Sequence, residues 1–299
     1  MALAAGVPSI ITNIVDYSIL DIQTTERRPD DFLRSVGQVF AVFDERTQDS
    51  GNLSYGVNVG GHRLFVKTAG IPNDPKAFLS HQQRVALLRN AVSFRQCVDH
   101  HSLPKLLNVI ESPHGPMLVY EWVFGELIGV KRSQRSNPTS PFQRFRALPL
   151  ARLLGALDVV FDFHHRIAEL GWVAADFYDG AMIYDFRDQS LHLIDLDLYR
   201  DGPFTNDMGR MFGSTRFMAP EEFELGARID EVTNLFTMGR AIAVFLSDGS
   251  LDLAPFRGDK PLYDVMVQAC RPERDERFPS MNAFHAAWLT ARGGQVVCK

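Results

Sequence analysis

The amino-acid sequence predicts an α+β protein in which a small, β-rich part precedes a larger, mainly helical part. Two observations support this order. The first 120 residues contain short runs rich in β-branched and aromatic residues, separated by turn signals, with one helical pattern among them. From about residue 147, apolar residues recur at helical intervals instead. A chain of 299 residues, 45% of them hydrophobic, is long enough for one large domain or two closely joined units.

Three runs near the start of the chain predict strands of an antiparallel meander. They cover residues 37–43, 55–59 and 62–68, and the turn signals SGN and Gly60-Gly61 separate them. A further strand-like run, residues 117–123, follows the turn sequence SPHG. We therefore expect a small sheet formed by sequentially adjacent strands.

Helical patterns surround these strands and dominate the rest of the chain. Residues 76–98 carry apolar side chains roughly on one side, and residues 148–170 do so again before the stop signal Gly171. Two short strands are predicted next, at 182–186 and 191–194. Three more helices are then predicted, at residues 234–246, 262–270 and 281–289. The basic stretch KRSQRSNPTSP, residues 131–141, predicts an exposed loop.

Composition and charge argue against several classes of partner, although a local basic patch stays open. The net charge of −5 argues against a broad nucleic-acid surface, which needs many cations to neutralise phosphates. No uncharged apolar run approaches the roughly 18 residues of a membrane span. The first 20 residues lack a basic region before their apolar stretch, so we interpret them as part of the fold and not as a signal peptide. The three cysteines, Cys97, Cys270 and Cys298, predict free thiols in a reducing, cytoplasmic environment.

Three charged residues in apolar surroundings point to phosphate chemistry. Lys67 ends the strand pattern LFVK, where an ammonium group is costly unless it meets an anion. Asp176 follows the helix that stops at Gly171, and Asp195 ends the apolar run LHLID. Phosphoryl transfer needs a cation on the phosphates, carboxylates that hold Mg²⁺, and a carboxylate that orients the attacking hydroxyl. Together the three residues offer this set.

In this context the chain resembles the protein-kinase superfamily over nearly its whole length, as a bacterial, eukaryotic-like Ser/Thr kinase with a divergent catalytic loop. LFVK resembles the VAIK motif, WVAADFYDGAM the H-R-D-x-x-x-x-N loop, and HLIDLDLYR the strand that ends in D-F-G. GSTRFMAPEEF is similar to G-T-x-x-Y-M-A-P-E and is the most specific match. NLFTMGRAIAVFL and CRPERDERFPSM resemble two scaffold segments of the large lobe, the second of which carries Arg277 as the partner of Glu221.

The resemblance implies a two-lobed protein-kinase-like fold that binds ATP and Mg²⁺. It places the N-lobe at residues 1–120, a hinge at 121–126 and the helical C-lobe at 127–299. It implies that Lys67 binds the nucleotide phosphates, that Asp176 orients and deprotonates the acceptor hydroxyl, and that Asp195 binds Mg²⁺. The hinge, from MLVYEWVFGEL, carries the remaining implied contacts: Tyr120 at the gatekeeper position, Glu121 to Val123 at the adenine edge, and Glu126 near the ribose.

The catalytic loop departs from the family pattern in ways that affect metal binding. The Asn that normally holds the second Mg²⁺ falls on Ala181, which offers no ligand. Asp179 could supply an oxygen instead, as could Asp197, which stands at the Gly position of D-F-G; we favour Asp197 slightly. Alanine replaces the Arg of H-R-D, so the loop lacks the usual receiver for an activation-loop phosphate. Ser214, at the Thr of G-T, is expected to hydrogen-bond Asp176.

Two further departures concern the way Lys67 and the phosphates are held. Residues 76–98 contain no Asp or Glu, so the usual Lys–Glu pair cannot form from this helix. Gln82, Gln83 or Asn90 is expected to orient Lys67 by a neutral hydrogen bond. The stretch TQDSGNLSYG lacks G-x-G-x-x-G, and the side chains of Ser50, Asn52 and Ser54 are candidates for phosphate contacts.

Three functions remain open from the sequence. The first is an ATP- and Mg²⁺-dependent phosphotransferase of Ser/Thr-protein-kinase type, supported by Lys67, Asp176, Asp195 and the GSTRFMAPEE segment. The second is a kinase for a small molecule such as an antibiotic, sugar or alcohol. The third is a pseudokinase that binds partners without transferring phosphate. The expected partners are a protein or small-molecule hydroxyl acceptor and a regulatory protein, with no nucleic acid and no membrane.

Overall fold

The computed structural model describes residues 19–44 and 51–293, and within them the chain is α+β. These residues form seven α-helices, a five-stranded antiparallel sheet and three smaller sheets of two or three strands. The predicted α+β class is confirmed. The predictions for residues 1–18, Ser50 and Cys298 lie outside the described residues. Cys97 and Cys270 are free thiols, one exposed and one buried.

The five-stranded sheet has the order β1-β2-β3-β5-β4, with every neighbouring pair antiparallel. The strands are β1 (Gln38–Phe43), β2 (Leu53–Val59), β3 (His62–Thr68), β4 (Leu106–Ser112) and β5 (Gly115–Glu121). Four of them were predicted within two residues. Strand β4 was not, because it lies at the sheet edge and its residues are mostly only partly buried, so the sequence shows no clear alternation.

Two helices accompany this sheet where one was predicted. Helix α1 (Pro29–Val36) has only eight residues and buries Phe32 and Leu33, too few positions to establish a periodic pattern. Helix α2 (His81–Cys97) begins five residues later than predicted because Ser80 forms a capping box. The Ser80 hydroxyl accepts from the Gln83 amide, and the Gln83 side chain accepts from the Ser80 amide.

The helical part contains the five remaining helices. They are α3 (Pro141–Arg146), α4 (Leu150–Glu169), α5 (Glu231–Ser247), α6 (Lys260–Ala269) and α7 (Met281–Gly293). Four confirm predictions, whereas α3 is short and lay partly in the predicted loop. Seven short strands also occur: β6 (Glu126–Leu127), β7 (Trp172–Val173), β8 (Met182–Asp185), β9 (Ser190–Leu193), β10 (Arg200–Asp201), β11 (Phe204–Thr205) and β12 (Arg228–Ile229). No helix in the described ranges is both long and apolar enough to cross a membrane.

Separate hydrophobic cores stabilise the sheet and the helical part, and helix α2 connects them. One face of the sheet packs on α1. The other face contributes Leu118 to a cluster with Leu88 of α2. The C-terminal end of α2 places Phe94 in the helical core, with its ring centroid 5.0 Å from that of Trp172. Residues on the α2 face of the sheet therefore lie where the two parts meet.

Candidate functional site

Lys67 lies on β3, the central strand of the sheet, and its side chain is on the face that packs against α2. In the register it pairs with Ser54 on β2 and Leu118 on β5, so the three side chains project to the same side. The residue is 7% exposed. An ammonium group this deeply buried needs compensating charge, because desolvation penalises its charged form.

Asp195 and Asp197 supply that charge from the segment after β9. The Lys67 Nζ atom lies 2.7 Å from Oδ1 of Asp195 and 2.5 Å from Oδ2 of Asp197. The two carboxylates differ in access to solvent: the Asp195 side chain is 57% exposed and that of Asp197 only 12%. Asp195 has a left-handed backbone, with φ of 59°, at the point where the chain leaves the strand.

Lys67, Asp195 and Asp197 shift one another's pKa values. Burial by itself would lower the pKa of Lys67, but Asp195 and Asp197 together raise it above its usual value. Lys67 lowers the pKa of Asp195, which is ionised at neutral pH. Burial raises the pKa of Asp197 in opposition to the Lys67 charge. The ammonium group of Lys67 is therefore paired with one accessible carboxylate, that of Asp195, and one buried carboxylate, that of Asp197.

Helix α2 holds the backbone of this segment and not the Lys67 side chain, so the expectation for Gln82, Gln83 and Asn90 is wrong. Gln83 is part of the helix cap, and Gln82 is exposed. Asn90 Nδ2 donates to the carbonyl of Asp197 at 2.8 Å and to that of Tyr199 at 2.6 Å. Asn90 thus fixes the chain around Asp197, and Asp197 in turn holds Lys67.

Asp176 lies near this cluster in a strained loop. Its backbone φ is 62°, and its Oδ1 atom is buried without a hydrogen-bond partner among the described residues. Burial raises the pKa of Asp176 to about 7, and the charges of Asp195 and Glu222 add to the effect. The expected hydrogen bond between Ser214 and Asp176 does not occur among the contacts of the described residues. Instead, a Cβ placed on Gly213 would lie 3.3 Å from Oδ1.

A small cavity adjoins Asp176 and contains a second perturbed carboxyl group. Its volume is about 10 Å³. Its lining includes Asp176, Gly213, Glu222 and Asn234. Burial raises the pKa of Glu222 to about 7, although the amide of Ala219 donates to its carboxylate at 2.6 Å. Glu222 follows the A-P-E sequence directly and was not predicted, because no motif singles it out.

Asn234 supports the loop of Asp176 from helix α5. Its Oδ1 accepts from the amide of Ala174 at 2.9 Å, and its Nδ2 donates to the Ala174 carbonyl at 2.7 Å. The bond fixes the backbone two residues before Asp176.

The Asp179 carboxylate forms an ion pair with Arg216, and among the described contacts it has none with Lys67. It is 1% exposed, and its Oδ2 lies 2.5 Å from Nη2 of Arg216. Arg216 belongs to the GSTRFMAPEE segment, so this pair links the loop after Asp176 to that segment. Ala181 is buried and offers no ligand. Of the two carboxylates considered for a second metal ligand, only Asp197 contacts Lys67 among the described residues.

Of the three residues expected to contact the adenine and ribose, Glu121 ends β5, Val123 lies on the connection that follows, and Glu126 begins β6. Glu121 accepts the backbone amide of Lys105 at 2.9 Å through its carboxylate. Both carboxylate oxygens of Glu126 lie 2.8 Å from Nη1 of Arg144. Val123 is partly buried. Both acidic side chains are thus engaged by neighbouring protein groups.

Aromatic side chains line the sheet beside Lys67: Tyr120, expected at the gatekeeper position, and Phe65 and Phe43, which were not predicted. Phe65 lies two residues before Lys67 and pairs with Tyr120 on β5, so both project to the Lys67 face. The Phe65 ring centroid lies 5.8 Å from that of Phe43. The period-2 alternation of β3 could have revealed this, since residues 65 and 67 share a face. Of the candidate phosphate contacts, Asn52 and Ser54 are buried.

Glu221 and Arg277 form a buried, bidentate ion pair, as expected. Oε1 and Oε2 of Glu221 accept from Arg277 at 2.7 and 2.9 Å, and Arg274 adds a further contact at 2.7 Å. Arg277 is 3% exposed and Glu221 5%. The pair links the GSTRFMAPEE segment to the stretch between α6 and α7.

Comparison with known proteins adds no independent assignment. No protein-family model matches the chain, and no curated protein matches it significantly. The functional inference therefore depends on the geometry of Lys67, Asp176, Asp195 and Asp197.

Proposed function

We propose that the protein is an ATP- and Mg²⁺-dependent phosphotransferase of Ser/Thr-protein-kinase type, which transfers the γ-phosphate to a hydroxyl group. In this proposal the fold is two-lobed and protein-kinase-like, with residues 121–126 as the hinge. The supporting observation is that Lys67 of the sheet and Asp195 and Asp197 of the helical part meet within 2.7 Å. Lys67 and Asp195 are the residues to which the kinase resemblance assigns the phosphates and Mg²⁺, and their contact supports the proposal.

The donor set around Lys67 fits a Mg²⁺-nucleotide. Mg²⁺ prefers carboxylate oxygens together with phosphate oxygens, and Asp195 offers an ionised, accessible carboxylate. Asp197 offers a second oxygen close by. The ammonium group of Lys67 would bind the phosphates. A bound metal would supply charge neutralisation on the phosphates during transfer.

Asp176 fits the role of the base that takes the proton from the acceptor hydroxyl. A pKa of about 7 lies near neutral pH, where a group can accept a proton efficiently and still be partly ionised. The unpartnered Oδ1 atom is available as a hydrogen-bond acceptor. The Asn234 contacts hold the preceding backbone, so the carboxyl group is positioned before an acceptor arrives.

A second candidate is a pseudokinase that binds partners without transferring phosphate. Phe65 and Phe43 occupy the Lys67 face of the sheet, where an adenine ring would lie in a kinase. Ala181 lacks a ligand atom, and Arg216 engages Asp179. A small-molecule acceptor, the remaining alternative from the sequence, would use the same transfer chemistry and differs only in the acceptor.

Transfer from γ-labelled ATP, with Mg²⁺ and either generic protein substrates or hydroxylated metabolites, tests the proposal. Asp176→Asn removes the base, so we expect transfer to fall on the order of 10²-fold or more. The control Asp188→Asn changes an exposed carboxylate in the turn after β8 and should retain full transfer. Equal labelling by the wild type and Asp176→Asn would remove the proposed role of Asp176.

Thermal-shift titration with Mg²⁺-ATP separates the candidates. Saturable stabilisation that Lys67→Met abolishes, together with transfer, supports the phosphotransferase. Saturable stabilisation without transfer to any acceptor class favours the pseudokinase. An unchanged melting temperature at millimolar Mg²⁺-ATP contradicts nucleotide binding by the protein, whether as a phosphotransferase or as a pseudokinase.

A further inference from the structure

Three potential metal ligands come together where helix α4 faces helix α7. Asp162 and His165 lie one turn apart on α4, and His285 lies on α7. One ligand atom from each of the three residues falls within 4.8 Å of the others. The rings of His165 and His285 stack with their centroids 4.6 Å apart. None of the three belongs to the Lys67 site.

The two helices that carry these residues are held together by a neighbouring contact. Trp288 Nε1 donates to Oδ1 of Asp158 at 2.6 Å, and Nη2 of Arg292 lies 2.9 Å from Oδ2 of the same carboxylate. Asp158 lies one turn before Asp162 on α4, so the ligands project from a fixed pair of helices. Ligands on rigid elements keep their geometry better than ligands on loops.

His100, from the segment between α2 and β4, orients the carboxylate of Asp162. The backbone amide of Ser102 donates to Nδ1 of His100 at 3.2 Å, so the proton resides on Nε2. Nε2 then donates to Oδ2 of Asp162 at 3.1 Å. Such an outer contact is typical around metal-binding carboxylates and leaves the second oxygen for the ion. In the alternative group of His100, His101 and Asp162, both nitrogens of His100 are engaged, whereas His165 has one engaged nitrogen, Nε2, which lies 3.3 Å from Oδ1 of Asn282.

We propose that Asp162, His165 and His285 form a binding site for a divalent transition-metal ion of the Zn²⁺ type, with His100 as the outer residue that orients Asp162. Two imidazoles and one carboxylate are a ligand set that Zn²⁺ accepts, and water completes the coordination. A bound ion links α4 to α7 and stabilises their packing, because it binds the folded chain and not the separated helices.

Titration of the full chain tests this site with Zn²⁺ by calorimetry and with Co²⁺ by absorption spectroscopy. We expect one ion per chain and a Co²⁺ spectrum without a thiolate charge-transfer band, which distinguishes the site from binding at the cysteines. His285→Gln and Asp162→Asn should each weaken binding on the order of 10-fold or more, and His100→Gln about 10-fold. His62→Ala, an exposed histidine on β3, is the matched control and should bind as the wild type.

Thermal unfolding without metal shows whether each variant is folded, and His285→Ala serves as a second variant at the same position. The proposal is overturned when the wild type binds no ion at micromolar concentration. It is equally overturned when the Co²⁺ spectrum shows thiolate ligation, or when folded His285 and Asp162 variants bind as tightly as the wild type.

Discussion

Asp197 is the closest anionic partner of Lys67, with its Oδ2 atom 2.5 Å from Nζ. The contact pairs a lysine of strand β3 with a carboxylate that follows β9, and both side chains are buried. Helix α2 contributes no acidic residue to it and instead holds the Asp197 carbonyl through Asn90. The orientation of Lys67 therefore depends on the segment that also carries Asp195.

Asp197→Asn should lower the free energy of unfolding by about 1–3 kcal/mol. The change removes one of two carboxylates on a buried ammonium group, while Asp195 still pairs with Lys67. Urea unfolding measures the effect. Asp264→Asn, which disrupts the exposed pair of Asp264 with Lys260, is the control and should cost at most about 1 kcal/mol. Equal values for both variants would mean that burial adds nothing to the Asp197 contact.

The stability of the protein should depend on pH through Asp176. Its pKa is about 7 in the folded chain and about 4 in an unfolded one, so the folded state binds this proton more tightly. The resulting stabilisation is complete below about pH 4 and is lost as the pH rises through about 7. Between pH 5 and 8 the contribution of Asp176 should therefore fall by on the order of 1–3 kcal/mol.

Comparison of the wild type with Asp176→Asn isolates this effect in urea titrations at pH 5, 6, 7 and 8. Buried histidines oppose it, since burial lowers the pKa of His164 to about 4 and its contribution changes in the other direction with pH. The difference between the two proteins removes the histidine contribution. A difference that stays constant from pH 5 to 8 would exclude a raised pKa for Asp176.

The Asp179–Arg216 pair should couple the loop after Asp176 to the GSTRFMAPEE segment. The Asp179 side chain is 2% exposed, so its partner determines whether its charge is compensated. A double-mutant cycle with Asp179→Asn and Arg216→Met should give a coupling free energy of about 1–3 kcal/mol. The same cycle for the exposed pair of Arg166 with Glu169 should give less than about 0.5 kcal/mol. Additive effects at Asp179 and Arg216 would contradict this coupling.

Removal of the buried Glu221–Arg277 pair should lower the free energy of unfolding more than Asp197→Asn does. Arg277→Met leaves the Glu221 carboxylate buried with only Arg274, and we expect a loss of about 3–5 kcal/mol in the free energy of unfolding. Arg271→Met, which affects a 3.9 Å exposed pair with Glu276, is the control and should change stability by less than about 1 kcal/mol. Denaturant midpoints of the two variants that coincide would argue against a structural role of Arg277.

Gly213→Ala should impair both folding and the environment of Asp176. Gly213 has φ of 132°, a conformation that L side chains rarely adopt, and an added Cβ would lie 3.3 Å from Oδ1 of Asp176. We expect destabilisation of about 1–3 kcal/mol together with a changed pKa of Asp176. Gly226→Ala is the matched control, since φ is also positive there but no atom lies within 4 Å of the added Cβ. It should destabilise without changing the pH dependence.

Much of the local structure followed from sequence periodicity. Strand β3 matched residues 62–68 because its side chains alternate between the two faces of the sheet. Helices α4 and α5 carry enough apolar positions for a clear 3.6-residue period. Strand β4 and helix α1 were not predicted, for two different reasons. Strand β4 is a partly exposed edge strand, and helix α1 has only eight residues.

The sequence by itself determined which residue types are present and which elements carry them: an amine on a strand of the sheet and carboxylates in the segments after β7 and β9. Only the tertiary structure decided how they pair. Asp197 contacts Lys67, Asp179 contacts Arg216, and Asn90 binds backbone carbonyls and not the lysine. The physical reason is that periodicity depends on neighbours a few residues apart, whereas an ion pair between distant segments depends on how the sheet and the helices pack.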